Sequence, residues 1–160
     1  MESIVIVYAL VLFLHNLFTV VWMGGVIVAA ISVLPAAREA LGPGPQVKKV
    51  MAAFLKRQSL WAYISMAGLI FSGMLLGRRN PAFSGLFSFG DPYGVVLSIK
   101  HIVVILMIAI SLYRTSTQHR LQAVPDAKKE RLSMLLLLVN VVLAVIVLLL
   151  SAFLPALGTA

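Results

Sequence analysis

The chain has 160 residues, of which 61% are hydrophobic and 11% charged, and its formal net charge is +8. An average soluble domain has about 25% charged residues, so this composition excludes an ordinary soluble enzyme and indicates an integral membrane protein. The sequence has no cysteine, which excludes disulfides and thiolate metal sites.

Four stretches are long and apolar enough to cross a membrane core of about 30 Å, which needs roughly 20 apolar residues in a helix. They predict an all-α integral membrane protein, a four-transmembrane-helix bundle that forms a single membrane domain over residues 1–160. The predicted helices lie at about 4–34, 58–77, 94–113 and 132–154.

Basic residues concentrate in the first and third connections between these helices. The positive-inside rule therefore predicts that both connections are cytoplasmic and that both termini are outside. Most of the net charge then reflects topology and attraction to anionic lipid headgroups, so binding to nucleic acid is not expected.

The first predicted helix contains the stretch HNLFTVVWMGG, which begins at His15 in an otherwise apolar run. Helical positions seven residues apart are nearly in line, so Tyr8, His15 and Trp22 share one predicted face. The second and fourth predicted helices have similar inward rows of mostly small or polar residues, namely Gln58, Trp61, Ser65, Gly68 and Ser72, and Ser133, Asn140, Ala144 and Ser151.

The third predicted helix follows an aromatic connection, RRNPAFSGLFSFGDPYG, that is typical of an interfacial belt or of a lid over a site. This helix carries Lys100 and His101 side by side. A charge near the bilayer centre costs roughly 2.5 to 3.5 kcal/mol on insertion scales, and no acidic residue lies inside any predicted span. Lys100 therefore snorkels to the interface, is neutral, or meets an anion that is not protein.

Counted from the outer end of each helix, His15 lies about 16 Å and His101 about 9 Å along the axis, which places both imidazoles in the outer half of the bundle. Two inward histidines beside small residues and a cation predict haem b, with both imidazoles as axial metal ligands. A hydrogen-bonded pair of interhelical histidines is the structural alternative. The candidate cofactor-binding residues are His15, His101, Lys100, Trp22, Tyr8, Arg78 and Arg79, the cations facing the propionates.

Copper is the competing metal, because imidazole suits copper and thioether sulfur suits Cu(I). Four methionines lie within the predicted spans, without close M-x-M or M-x-x-M spacing: Met23, Met66, Met74 and Met107. Methionine is also a common apolar filler, so spacing alone is a weak indication of copper.

Two motifs resemble known families. H-x6-W-M-G-G from His15, followed by V-L-P at Val33 to Pro35 and Y-G-x-x-L-x-x-K at Tyr93 to Lys100, resembles the membrane domain of CopD-type copper-resistance proteins over roughly residues 10–120. That resemblance implies copper handling near the outer face. The first motif is also similar to HemJ-type protoporphyrinogen oxidases, which implies His15 as a haem ligand and Lys100 as a second essential group.

The sequence prediction is a haem b-binding protein of the plasma membrane that transfers electrons or oxidises a small substrate, a haem-dependent membrane oxidoreductase. One alternative is a copper carrier or permease that uses His15 and His101 with Met66 or Met107. Another is a haem-free structural subunit of a membrane complex. The predicted partners are the lipid bilayer and a redox partner or quinone, and the sequence is compatible with a homo-oligomer.

Overall fold

The computed structural model describes residues 2–79, 83, 85–123 and 126–157, with the side chains of residues 2 and 118–123 outside the description. All regular secondary structure in this part of the chain is helical, and four helices are long and apolar enough to cross a membrane. This confirms the predicted fold class of a four-helix membrane protein. The placement of both termini outside stays a prediction.

The first helix, α1, is continuous but changes its winding twice. It begins with the α-helical segment Glu2–Thr19 and ends with the α-helical segment Leu34–Leu41. Between them, the π-helical segments Val20–Gly24 and Ala29–Val33 flank one short α-helical turn. Such π segments are rare and often occur at functional sites. Nothing in the hydrophobic pattern of the sequence predicts them.

The other three helices are α2 at Pro45–Gly77, α3 at Pro92–Ala123 and α4 at Ala127–Leu157. Proline in the first turn favours the starts of α2 and α3 because a proline there loses no intrahelical hydrogen bond. Asp91 caps α3 by accepting the Gly94 N–H at 2.8 Å.

The start of α4 is fixed by an acidic cap. The Asp126 carboxylate accepts the backbone N–H groups of Lys128 at 2.9 Å and Lys129 at 3.3 Å. These hydrogen bonds, with that of Lys129 the stronger influence, lower the pKa of the Asp126 carboxyl below its usual value. The first turn of α4 therefore has two of its free N–H groups satisfied by Asp126.

The helices extend well into the predicted connections. α2 begins at Pro45 rather than at 58, and α3 ends at Ala123 rather than at 113. Basic residues mark where a span leaves the hydrocarbon, but lysine and arginine are good helix formers and do not stop the backbone hydrogen bonding. Most of the predicted cytoplasmic loops are thus helical extensions.

The helices pack as two pairs, α1 along α2 and α3 along α4. The pairs meet in one core cluster whose fully or nearly fully buried members are Trp22, Met23, Val26, Ala62, Met66, Met107, Leu137, Ala144 and Val147. The inward rows predicted for α2 and α4 are largely buried, but Trp61 is 57% exposed. Its predicted inward direction is wrong, because Ala62 and Met66 take the buried face.

Two ends of the bundle differ in their charges. We call the end with His15, His101 and the connection after α2 the histidine end. The opposite end, where Lys48 of α2 and Glu130 of α4 form an ion pair at 2.7 Å, is the basic end. Under the predicted topology, the histidine end faces outside.

Candidate metal site

His15 is half-buried on α1 and contacts α2. Its Nδ1 lies 2.9 Å from the Ser72 hydroxyl, which itself donates to the Gly68 carbonyl at 2.6 Å. Because the hydroxyl proton is used in that second bond, His15 donates its Nδ1–H to Ser72. The Nε2 atom of His15 then carries a lone pair that is available to a ligand.

His101 has the same protonation pattern on α3. Its Nδ1 lies 2.8 Å from the Leu97 carbonyl oxygen, one turn earlier in the helix. A carbonyl oxygen only accepts hydrogen bonds, so Nδ1 must carry the proton and Nε2 must carry the lone pair. The two imidazoles thus present the same nitrogen as a free base.

Lys100 links the two histidines electrostatically. When its amine is protonated, Lys100 is close enough for its charge to act on the His15 and His101 imidazoles. Neither ion pair of the described residues includes Lys100. The structure therefore brings His15, Lys100 and His101 together at the histidine end, from α1 and α3.

The connection after α2 folds back against this end. The Phe87 ring lies 6.2 Å from the His101 ring, at 59° between planes. Ser88 holds the segment in place, since its N–H donates to the Ser98 hydroxyl and its carbonyl accepts from that hydroxyl, both at 2.9 Å. A Cβ on Gly94 would meet the Ser88 Cβ at 2.9 Å, so the close approach needs glycine there. Of the two predictions for this connection, these contacts favour a cover over the site.

Four other predicted site residues make their contacts elsewhere. Trp22 is fully buried in the central core, seven residues beyond His15 or about 10 Å along the helix. Tyr8 is 39% exposed, with the Arg79 guanidinium 5.7 Å from its ring centroid. Arg79 also donates to the Ile4 carbonyl at 3.4 Å, and Arg78 is exposed.

The methionines do not join the histidines at one level. Met66 and Met107 are buried in the core cluster, and Met107 lies six residues beyond His101, about 9 Å along α3. Within the described residues, no group of three or more His, Cys, Asp or Glu side chains is arranged to hold a metal ion. The candidate metal ligands at the histidine end are therefore the imidazole nitrogens of His15 and His101.

The family assignment comes from a comparison with known protein families. The model of the family Copper resistance protein D, or CopD, matches residues 52–154, which is more than half of the chain. This chain belongs to the CopD family. No curated protein and no solved structure matches it.

The CopD match supports the copper alternative of the sequence analysis and adds no support for haem b, for an oxidoreductase or for the HemJ resemblance. It covers the membrane-crossing parts of α2, α3 and α4, including Ser72, Lys100 and His101. The His15 motif on α1 precedes the matched residues. With four membrane-crossing helices, this CopD protein is a multi-pass protein of the plasma membrane.

Two residues of the site were not among the predicted ligands and neighbours. Ser72 belongs to the predicted inward row of α2, but nothing in the sequence pairs it with His15, because the register between two helices is set by packing. Phe87 lies in the aromatic connection, and its contact with His101 depends on the path of that connection. In the sequence, only the small size of Ser72 and the aromatic ring of Phe87 indicated that these residues could lie near a site.

Proposed function

We propose that this chain handles copper in the membrane and binds Cu(I) between His15 and His101 at the histidine end. The observation that carries the proposal is the shared protonation pattern of the two imidazoles. Each donates its Nδ1–H to a fixed acceptor, Ser72 or the Leu97 carbonyl, and each leaves Nε2 unprotonated. Metal-bound histidine usually has its other nitrogen engaged in this way.

The ligand chemistry supports copper in its reduced state. Imidazole binds copper well. Among the described residues, no Asp or Glu forms a metal-binding group with these histidines, whereas hard cations such as calcium or magnesium take oxygen ligands. Thioether sulfur prefers Cu(I), and the buried Met66 and Met107 lie in the next layer of the core. These two methionines are candidate ligands at a second site, to which an ion would pass when it leaves the histidines.

Lys100 indicates transfer rather than storage. When protonated, it places a positive charge close to both imidazoles, and that charge opposes tight retention of a second cation. A site that binds an ion and then releases it needs such a limit on affinity. Under the predicted topology, copper would be captured from the outer side of the membrane.

The test is Cu(I) binding by the detergent-purified full chain, measured by competition with a chromophoric Cu(I) chelator. We expect His15→Gln and His101→Gln each to weaken binding by more than about 100-fold, because losing a ligand costs more than the 10- to 100-fold typical of an outer partner. His119→Gln is the matched control, since it removes the third histidine at a position 18 residues further along the chain. That variant should bind like the parent.

Unchanged affinity in both histidine variants would overturn the copper proposal. A visible spectrum of the same preparation distinguishes the rival prediction. A Soret band at about one haem per chain that His15→Gln abolishes would replace copper by haem b, and with it the function by electron transfer or oxidation of a small substrate.

A further inference from the structure

A second site lies towards the basic end, away from both histidines. It is a partly open cavity of about 180 Å³ between the helices. Its lining is mostly apolar and includes Trp22, Lys56, Ser111 and Arg114. None of the described residues that line it is acidic.

Arg114 is the unusual member of this lining. Its side chain is 8% exposed, and its one hydrogen bond within the described residues runs from Nε to the Ser133 carbonyl at 3.0 Å. The ion pairs in this part of the chain are Lys48 with Glu130 and Lys129 with Asp126, so no described carboxylate neutralises it. An uncompensated buried charge is costly, and the two terminal nitrogens of the guanidinium remain to bind an anion.

Trp22 provides an independent observation. It is fully buried, and its indole Nε1 has no hydrogen-bond partner among the described residues. A buried N–H without a partner is uncommon because the group loses its hydrogen bonds to water and gains none in the protein. The cavity lining therefore combines two cationic side chains, Arg114 and Lys56, with the indole N–H of Trp22 as a neutral donor.

The position of the cavity indicates which kind of anion it takes. Arg114 ends the apolar run that follows His101, and Lys56 and the exposed Arg57 precede the apolar run of α2, so these cations mark the membrane boundary. This is the depth at which lipid phosphates lie, and the planar fork of arginine matches phosphate oxygens. The volume is below the roughly 300 to 1,000 Å³ of sites for drug-sized ligands, as suits a phosphate group.

We propose that this cavity is a phosphate-binding site, in which Arg114 holds the phosphate oxygens and Lys56 and the Trp22 indole supply further donors. The phosphate belongs either to an anionic lipid headgroup or to a free phosphate. The proposal does not depend on copper binding, since it uses none of the residues of the histidine site.

The experiment measures thermal unfolding of the full chain in an uncharged detergent at constant ionic strength. Three additions are titrated separately: inorganic phosphate, phosphatidylglycerol, and phosphatidylcholine as the zwitterionic lipid. Sodium chloride is the reference. We expect a saturable rise in Tm with phosphate or with phosphatidylglycerol, because a ligand that binds only the folded state stabilises it.

The variants assign the effect to the cavity. We expect Arg114→Gln to weaken the apparent affinity by about 10- to 100-fold, as for loss of hydrogen bonds to a charged group. Without phosphate or phosphatidylglycerol, this variant should be at least as stable as the parent, since it removes an unpaired buried charge. Arg57→Gln, which removes an exposed cation outside the lining, should leave the affinity unchanged.

Lys56→Gln keeps the test decisive if Arg114→Gln fails to fold. Because Lys56 is exposed, this variant should fold and weaken binding by less than about tenfold. A response to inorganic phosphate identifies a site for free phosphate, and a response to phosphatidylglycerol alone identifies a headgroup site. Equal responses to phosphate, phosphatidylglycerol and chloride, or equal affinities in the parent and the cavity variants, would overturn the proposal.

Discussion

The two ends of the bundle satisfy their polar groups in opposite ways. At the histidine end, each imidazole donates a hydrogen bond from its Nδ1–H to a nearby oxygen, and the Ser98 hydroxyl forms two hydrogen bonds with the Ser88 backbone. Towards the basic end, Arg114 lacks a carboxylate and the Trp22 indole lacks an acceptor, within the described residues. An imidazole whose Nδ1–H is hydrogen-bonded presents the lone pair of its other nitrogen, which can bind a metal ion. N–H groups without an acceptor, in contrast, are suited to binding an anion.

The core cluster separates these two regions. Trp22 and Met66 belong to this cluster and also line the cavity. His15 and His101 do not line it. The core is therefore expected to support both sites, while the ligand groups of each act independently.

The largest expected effect comes from removing the central side chain. Trp22→Ala should lower the free energy of unfolding by about 3 to 5 kcal/mol, as for other large buried aromatics, because it leaves a void in the core. Thermal unfolding in detergent checks this. Trp61→Ala is the matched control, since Trp61 is 57% exposed, and it should change stability by about 0.5 kcal/mol or less. Equal losses in the two variants would contradict the assignment of Trp22 to the core.

The next effect tests whether the Nδ1 hydrogen bond matters at the histidine end. Ser72→Ala removes the acceptor that orients His15 and should weaken Cu(I) binding by about 10- to 100-fold. Chelator competition measures the affinity. Ser65→Ala is the matched control, because it removes another buried hydroxyl of α2, seven residues before Ser72. This variant should have little effect on Cu(I) binding. Matching affinities for the two serine variants would show that the Ser72 contact does not tune the site.

The smallest effect concerns two neighbouring glycines of α1, of which Gly25 lines the cavity. A Cβ on Gly25 would clash with the Gln58 side-chain amide, whose Nε2 donates to the Val21 carbonyl at 2.9 Å. Gly25→Ala should therefore cost about 1 to 3 kcal/mol by overpacking. A Cβ on Gly24 meets nothing closer than Val20 at 4.0 Å, and both glycines have right-handed helical angles.

Gly24→Ala should consequently stabilise the protein by about 0.5 to 1 kcal/mol, since alanine loses less conformational freedom in a helix. Thermal unfolding of the two variants in the same detergent measures the difference in sign. Stabilisation by both substitutions would mean that Gln58 moves without cost and that the Val21 contact contributes nothing.

Hydrophobic length was sufficient to predict the four helices, because membrane crossing imposes a minimum run of apolar residues. The inward faces of α2 and α4 were also accessible from the sequence, as the burial of Ser65, Ser72 and Asn140 shows. The predicted helix ends were less accurate. The first basic residue marks where a span leaves the hydrocarbon, but the helical hydrogen bonding of α2 and α3 continues beyond that point.

The candidate site could be predicted only in part. His15 and His101 were predicted as ligands because an imidazole is rare in an apolar run, and their role as ligands stays a prediction. The line from His15 to Trp22 assumes a regular α-helix, but a π-helical segment begins at Val20. Each extra residue in a turn rotates the following side chains by about 100°, so positions seven apart no longer align. Trp22 consequently points into the core and its cavity, not towards the imidazole.

The unbroken course of α2 has a mechanical consequence. Its 33 residues form one α-helix from Pro45 to Gly77, about 50 Å long at the usual rise per residue. Gln58 near its middle lines the cavity, and Ser72 near its end holds the His15 ring. A rigid rod tilts as a whole, so a displacement of α2 at one of these positions also moves the other.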